Sequence, residues 1–279
     1  MTAILGVHGV GNDRPHQNDD EASASLARVW TGALTKEQPA VRSAADIRVV
    51  YYAPQLRSDI AQGDEDPDNL NPEAQRMVRA WIELLDPPEE IAAGRAAAPL
   101  RYALEWVAER FGLDNTLTRI ITTIFFREVA TYFKPANSYP RIHSRNLFLE
   151  QFTAHQPRVV IAHSLGSVVA YEALWARPDL HVDLLLTLGS PLGMPDVVFP
   201  RLEPSTAGTG WGQRPPGVAK WINISDTGDL IAIPRDLTQR FRGIDHHNPA
   251  ARINAFDFHK VANYLNNPQV QQALAPYLQ

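Results

Sequence analysis

Apolar runs alternate with amphipathic stretches along most of this chain. A continuous apolar run is typical of a strand buried on both faces of a parallel sheet, whereas apolar residues spaced three to four apart are typical of a helix. The predicted strands cover residues 3–7, 47–52, 159–161, 182–188 and 218–225. Because helical patterns separate these strands, we expect an α/β fold with a mostly parallel central sheet and helices on both of its faces.

The pattern changes between the second predicted strand and the strand that begins at residue 159. Residues 54–140 contain several helical segments separated by prolines, with an acidic loop at 63–68. We interpret this stretch as a helical insertion within a single domain that covers residues 1–279. Over 117–133, apolar residues recur at helical spacing and predict a broad apolar helix face, which either packs on the sheet or covers a cleft.

Composition excludes several classes of protein and of site. With 279 residues and 44% hydrophobic composition, the chain is long enough and apolar enough for one large core. Its net charge of −5 does not suit nucleic acid, so we expect no nucleic-acid partner. The absence of cysteine excludes disulfides, thiolate metal sites and a cysteine nucleophile.

The apolar segments also bear on membrane contact and localisation. No uncharged apolar stretch reaches the length of about 18 residues that a spanning helix needs, so we expect no membrane span. The first residues resemble no secretory signal, because they contain neither a basic region nor a long apolar region. The expected localisation is therefore cytoplasmic.

A serine lies where the third predicted strand passes into a helix. When such a turn carries a nucleophilic serine, small residues are needed two positions before and after it, and here these are Ala162 and Gly166. The alternative is a serine that only caps the helix. The buried strand before the turn and the apolar helix face after it favour Ser164 as a nucleophile.

A serine nucleophile also needs donors for the oxyanion that forms on the attacked carbonyl. We assign one donor to the backbone N–H of Leu165, the residue after the nucleophile. The second is assigned to the N–H of Val10, in the loop that follows the first strand. His8, Gly9 and Gly11 are the supporting residues of this loop, since glycines allow close approach of the backbone to a substrate.

An acid that orients the catalytic histidine is expected after a strand that follows the serine in sequence. Asp226 and Asp229 both follow the predicted strand 218–225. We favour Asp229, because the apolar residues after it can place its loop in the core. Asp226 is kept as the alternative and is otherwise predicted to form the turn, a local role that aspartate commonly takes.

Three histidines follow these aspartates in the sequence. We favour His259 as the general base, because it precedes a short helical pattern and can lean over the edge of the sheet. His246 and His247 are the alternatives, and their polar surroundings predict a solvated loop.

These residues together resemble a serine hydrolase of the α/β-hydrolase superfamily, on the lipase and esterase side. The resemblance lies in His8-Gly9-Val10-Gly11, Ala162-His163-Ser164-Leu165-Gly166, Leu188-Gly189-Ser190-Pro191-Leu192, Asp229 and His259. It covers roughly residues 3–53 and 141–279 and implies a sheet that begins at the family's third strand. In two respects the chain departs from the family. Ala162 replaces the commoner glycine, and the strand before His259 is poorly marked.

The resemblance implies a serine hydrolase that cleaves a carboxylic ester, thioester or amide of a small or lipid-like substrate through an acyl-enzyme. The insertion 54–140 lies between the second strand and the nucleophile strand and carries the apolar helix face over 117–133, so we predict that it is a cap or lid over an apolar acyl pocket. An acyltransferase with the same residues and a catalytically silent binding protein remain alternatives. We expect no cofactor and no metal, because the chain lacks an H-E-x-x-H motif and its glycines at 6, 9 and 11 do not follow G-x-G-x-x-G.

Overall fold

The structure is a computed structural model that describes residues 2–36, 45–57, 66–93, 99–135, 138–206, 208–251 and 259–278. Its described strands, in chain order, are β1 (Thr2–Val7), β2 (Ala45–Val50), β3 (Val159–His163), β4 (Val182–Leu188), β5 (Gly212–Gln213), β6 (Val218–Asp226), β7 (Phe241–Arg242) and β8 (His246–Ala251). Six of them form a parallel central sheet, and β5 and β7 form a small second sheet. Residues 63–65 of the predicted acidic loop lie outside the described residues.

Helices separate most of the strands of the central sheet. The described α-helices are α1 (Asp19–Thr35), α2 (Pro72–Glu83), α3 (Glu89–Ala93), α4 (Leu100–Phe111), α5 (Asn115–Tyr132), α6 (Tyr139–His155), α7 (Leu165–Ala176), α8 (Val261–Leu265) and α9 (Pro268–Leu274). Short 3₁₀ turns occur at Ala53–Leu56, Pro67–Asn69, Phe199–Arg201, Leu237–Gln239 and Ala275–Tyr277. None of these described helices is both long enough and apolar enough to cross a lipid bilayer.

The order of the strands gives a topological switch point between β1 and β3, inside the central sheet. The order is β2-β1-β3-β4-β6-β8, with all neighbours parallel. From β1 the chain passes to β2 on one side, and it later returns to β3 on the other side of β1. The connections after β1 and β3 therefore lead to opposite sides, and such a switch point is where open α/β sheets bind ligands.

Two apolar layers cover the two faces of this sheet. Because successive side chains of a strand point to opposite faces, Leu5 and Val7 of β1 lie in one layer and Ile4 lies in the other. The first layer also contains buried side chains of α2, α4, α5, α6 and α7, and the second contains those of α1, α8 and α9. The described helices of the insertion thus share the core of the sheet.

The chain segment that contains His246 and His247 differs from its prediction. It forms β8, which pairs with β6 at the edge of the sheet, with His246 opposite Ile222. The side chain of His246 is exposed and that of His247 is half-buried, so the segment is solvated but is a strand and not a loop. Apolar alternation is weak in this segment because an edge strand is held by backbone pairing with a single neighbour, and a proline such as Pro249 is compatible with an edge strand.

Candidate active site

Ser164 occupies a strained turn between β3 and α7. Its φ of 53° and ψ of −131° lie outside the regions that residues other than glycine commonly adopt. Such a conformation costs on the order of 1–3 kcal/mol and persists only where the surrounding structure imposes it. Here the Ser164 N–H donates to the carbonyl of Leu188 at 3.0 Å, and the Ser167 hydroxyl donates to the Ser164 carbonyl at 2.6 Å.

Two glycines allow the loop after β1 to approach this turn. A Cβ atom on Gly166 would lie 2.4 Å from the carbonyl oxygens of both Val7 and His8. A Cβ atom on Gly9 would lie 2.6 Å from the Cβ of Ser164. Real Cβ atoms do not make such contacts, so glycine is required at both positions. Glycine at these two positions therefore allows the loop after β1 to lie against the turn at Ser164.

The structure brings Ser164, His259 and Asp229 into one chain of hydrogen bonds. His259 Nε2 lies 2.7 Å from Ser164 Oγ, and His259 Nδ1 lies 2.8 Å from Asp229 Oδ2. Since an ionised carboxylate only accepts hydrogen bonds, Nδ1 carries the proton and Nε2 is left to accept the hydroxyl proton of Ser164. Ser164 and Asp229 are fully buried, and His259 is 7% exposed.

The Asp229 carboxylate is held by more than the histidine. Its Oδ1 accepts hydrogen bonds from the backbone N–H groups of Ile231 at 2.9 Å and Ala232 at 3.3 Å. Its Oδ2 accepts a second hydrogen bond from the Tyr264 hydroxyl, at 2.7 Å. Buried carboxylates need this number of donors, because an unsatisfied charge in the core is costly.

The sequence analysis did not assign a polar role to Tyr264, which it treated as part of an apolar helix face. The Tyr264 hydroxyl also accepts the N–H of Asp226 at 3.0 Å, and burial raises the pKa of Tyr264 well above its usual value. A Cβ atom on Gly189, whose φ is 52°, would lie 3.0 Å from this hydroxyl. The available signal was that a buried tyrosine hydroxyl usually has a hydrogen-bond partner.

The other predicted alternatives have different partners. Asp226 Oδ1 accepts the N–H of Gly228 at 2.7 Å, which is the turn-forming role predicted for it. His247 Nε2 lies 3.2 Å from Asp236 Oδ1, and His246 is exposed on β8. Within the described part of the chain, none of these three side chains makes a hydrogen bond to Ser164 or His259.

His163 lies beside the site, where the hydrogen bond of Ser164 Oγ is made with His259. Its buried ring packs against that of His259, with 4.9 Å between the ring centroids. Burial, with a smaller effect from His259, lowers the pKa of His163 well below its usual value. His163 therefore stays neutral and adds no competing positive charge beside the His259 imidazole.

His8 fixes the backbone of the loop after β1. Burial lowers the pKa of His8 to about 4, so the ring is neutral at neutral pH. Its Nε2 lies 3.3 Å from the N–H of Tyr52 and accepts from it, which leaves Nδ1 to donate to the Gly9 carbonyl at 2.7 Å. Asn12 Nδ2 donates to the same carbonyl at 3.0 Å.

The two N–H groups predicted to bind the oxyanion have no acceptor among the described residues. In a trans peptide the C=O and N–H groups point in opposite directions, so the two donors to the Gly9 carbonyl leave the Val10 N–H on the other side. Within the described part of the chain, the N–H groups of Val10 and Leu165 donate to no protein acceptor. The Leu165 N–H also lies at the N-terminus of α7, where the helix dipole favours negative charge.

Helix α5 of the insertion contacts both the His259 ring and the loop after β1. The ring of Phe125 meets the ring of His259 edge to face, with 6.2 Å between the centroids. Ile124 Cγ2 lies 3.6 Å from the Cβ position of Gly11, and Glu128 Oε1 accepts the Gly11 N–H at 3.0 Å. The remaining large apolar residues of α5 with fully buried side chains belong to the core, namely Phe126, Val129 and Tyr132.

The described residues contain no group of three or more histidine, aspartate or glutamate side chains that could hold a metal ion.

The chain was compared with protein-family models, with curated proteins and with solved structures. No match was found in any of the three comparisons.

Proposed function

We propose that this protein is a serine hydrolase of the α/β-hydrolase type, which cleaves a carboxylic ester, thioester or amide through an acyl-enzyme. The observation that carries the proposal is the hydrogen-bond chain from Asp229 through His259 to Ser164, with distances of 2.8 and 2.7 Å. A serine on a strained strand-to-helix turn, a buried acid and two free backbone donors support the same chemistry.

The proposed reaction begins when Ser164 Oγ attacks the acyl carbon and its proton passes to His259 Nε2. Asp229 stabilises the imidazolium that results, and the N–H groups of Val10 and Leu165 bind the oxyanion. The imidazolium then gives its proton to the leaving alcohol, thiol or amine as the acyl-enzyme forms. In the second half, His259 takes a proton from water, hydroxide attacks the acyl carbon, and Ser164 leaves with that proton.

The surroundings of the site favour an apolar acyl group. Val10 and Ile124 are half-buried and Phe125 is fully buried, and none of these side chains offers a hydrogen bond. A small or lipid-like substrate suits such walls, because each methylene buried from water contributes about 0.8 kcal/mol. In this proposal the insertion 54–140 acts as the cap, with α5 as the part that meets the substrate.

The proposal is tested with Ser164→Ala, p-nitrophenyl esters and a fluorophosphonate probe. We expect the variant to fold, to lose on the order of 10⁴–10⁶ in kcat and to lose probe labelling, because the hydroxyl is the attacking group. Ser25→Ala on α1 is the matched control and is expected to keep both. Mass spectrometry of the labelled wild-type protein is expected to place the adduct on Ser164.

The other outcomes separate the competing functions. Ordinary ester turnover by Ser164→Ala would show that the serine mechanism is wrong. A folded wild-type protein that neither turns over esters nor reacts with the probe would favour a catalytically silent binding protein. Probe labelling with turnover only when an alcohol or amine acceptor is added would favour an acyltransferase, because transfer differs from hydrolysis only in the second nucleophile.

A further inference from the structure

The peptide between Val10 and Gly11 is held from both sides. Asn12 Nδ2 donates to the Val10 carbonyl at 3.0 Å. At the opposite end of the same peptide, the Gly11 N–H donates to Glu128 Oε1 at 3.0 Å. A trans peptide that is held at its C=O and at its N–H cannot rotate about its own axis without breaking a hydrogen bond. Asn12 belongs to the loop itself, whereas Glu128 lies 117 residues away on α5.

We propose that Glu128 is a positioning residue for the oxyanion loop, defined here as residues 8–12. Its hydrogen bond to Gly11 fixes the Val10–Gly11 peptide, which limits rotation of the backbone at Val10 next to the Gly9–Val10 peptide that carries the Val10 N–H. The inference rests on the proposed function, because the Val10 N–H has this role only if an oxyanion forms. The helical insertion then contributes to the chemistry as well as to the pocket.

The loop needs this support because its backbone is otherwise permissive. Gly11 has a φ of +70°, and glycine is flexible enough to leave such a conformation at little cost. The Gly9 carbonyl has two donors within the loop, but the Gly11 N–H has Glu128 as its acceptor on another element. Oxyanion stabilisation requires donors that are already oriented, so a freely rotating peptide at this point would weaken it.

The environment of Glu128 is short of compensating charge. Burial raises the pKa of its carboxyl to about 8, with a further increase from Asp13 and opposing effects from the Gly11 N–H and Arg127. Asp13 is itself bound by Arg57 at 2.8 Å. The hydroxyl of Tyr52, a further titratable group near Glu128, stays protonated because burial raises its pKa. Glu128 Oε2 is inaccessible to solvent and has no hydrogen-bond partner within the described residues.

Ionisation of Glu128 has an expected effect on catalysis. The neutral carboxyl still accepts the Gly11 N–H through Oε1, so the loop is held near pH 7. Above about pH 8 the ionised carboxylate places a negative charge beside the loop that binds the oxyanion, and this disfavours the transition state. Near pH 8 the neighbouring His8 and His163 are already neutral because burial lowers their pKa values, so neither adds a titration there.

The test compares Glu128→Leu, which removes the acceptor, with Glu128→Gln, which keeps an acceptor oxygen and cannot ionise. Glu109→Leu and Glu109→Gln are the matched controls, because Glu109 is exposed on α4. For p-nitrophenyl acetate we expect Glu128→Leu to lower kcat about 10- to 100-fold with little change in KM, since a misdirected oxyanion donor affects the transition state more than binding. Both control variants are expected to match the wild type.

The pH profile supplies the second readout. We expect kcat of the wild type to fall as the pH rises through about 8, and kcat of Glu128→Gln to equal that of the wild type near pH 7 and to stay level above pH 8. The positioning role would be supported if Glu128→Gln kept the kcat that Glu128→Leu loses and if kcat of Glu128→Gln did not fall at alkaline pH. Equal losses in Gln and Leu, or an unchanged alkaline fall in Gln, would overturn it. If Glu128→Leu does not fold, the Gln profile decides alone.

Labelling separates this inference from the proposed function. A wild-type protein whose Ser164 does not react with the fluorophosphonate would refute the proposed function, and the inference with it. If the wild-type protein reacts, and folded Glu128→Leu reacts at the same rate, only the role of Glu128 is refuted. A 10- to 100-fold slower reaction of Glu128→Leu would support both, because the oxyanion loop also binds the phosphonyl oxygen in that reaction.

Discussion

Asp226 and Asp229 are three positions apart at the end of β6, and the backbone around them decides which carboxylate reaches the histidine. Asp226 is the last residue of β6, and its side chain turns back to the N–H of Gly228. Its main-chain carbonyl accepts the N–H of Asp229 at 3.2 Å, which closes the turn. Asp229 then projects into the core, where Tyr264 and two backbone N–H groups hold it.

Asp229→Asn and Asp226→Asn are expected to differ strongly in activity. Asparagine at 229 keeps the shape of the side chain but does not fix the histidine proton on Nδ1, and we expect a loss of about 10⁴ in kcat. Asparagine at 226 still offers an oxygen to the Gly228 N–H, so we expect a change within about threefold. Steady-state kinetics of the two variants with p-nitrophenyl acetate make the comparison, and circular dichroism checks that both fold.

A larger loss in Asp226→Asn than in Asp229→Asn would move the role of the acid to Asp226. Equal and small losses would indicate that neither carboxylate orients His259. Because both substitutions lie in the same turn and remove the same charge, a general electrostatic effect would lower both activities alike.

At the scale of the element, the broad apolar face of α5 contributes some residues to the core and others to the surroundings of Ser164. The residues that point into the sheet are fully buried and form the core, whereas Ile124 is half-buried beside Gly11. Leu117, two turns earlier on the same helix, is 48% exposed. The helical spacing that predicted an apolar face over 117–133 therefore includes core, site and surface positions.

Ile124→Asn is expected to reduce the preference for longer acyl chains. In the wild type we expect kcat/KM to rise about fourfold for each methylene added from acetate upward, until the pocket is full. A polar side chain at 124 is expected to flatten this series and to leave acetate turnover within about threefold. Leu117→Asn, the matched control, is expected to leave the series unchanged. Measurements of kcat/KM with acetate, butyrate and hexanoate esters test this, and a series as steep as that of the wild type would place the acyl chain elsewhere.

At the scale of the whole molecule, a buried ionic network ties the insertion to the helix that follows Ser164. The Glu172 carboxylate on α7 is bound by Arg141 of α6, whose Nε lies 3.0 Å from Oε2, and by the hydroxyl of Tyr132 of α5 at 2.7 Å. The N–H of Glu203 donates to the same carboxylate at 3.1 Å. The side chains of Arg141 and Glu172 are 4% and 0% exposed. Three helices and the segment after β4 thus meet at one carboxylate.

Glu172→Gln is expected to destabilise the fold by about 3 kcal/mol, because it leaves the buried Arg141 with only part of its countercharge. This loss of stability is at the low end for a broken buried ion pair, because Glu203 Oε1 lies 3.5 Å from Arg141 Nη1 and supplies part of the countercharge. Asp179→Asn is the control, because Asp179 pairs with Arg177 at the surface and such pairs contribute about 0–1 kcal/mol. Urea denaturation of each variant measures the difference. Similar losses in the two variants would show that the network adds no more than a surface pair.

Much of the fold could be predicted because its signals are local. A parallel strand buried on both faces is recognised from a few consecutive residues, and the prediction 182–188 coincides with β4. The turn at Ser164 depends on small residues within two positions of the serine, so its strand and helix were also predictable. β8 was missed, because an edge strand pairs through its backbone and carries little apolar alternation.

The sequence by itself determined the α/β pattern, the strained serine and the short sets of candidate acids and histidines. Only the tertiary structure decided among the candidates, because the atoms that meet are distant along the chain: Ser164 and His259 are 95 residues apart, and Gly11 and Glu128 are 117 apart. No local sequence pattern predicts the hydrogen-bond partners of the Tyr264 hydroxyl or of the Glu128 carboxyl. Their hydrogen bonds follow from the packing of α8 and α5 against the ends of the strands, which no window of neighbouring residues encodes.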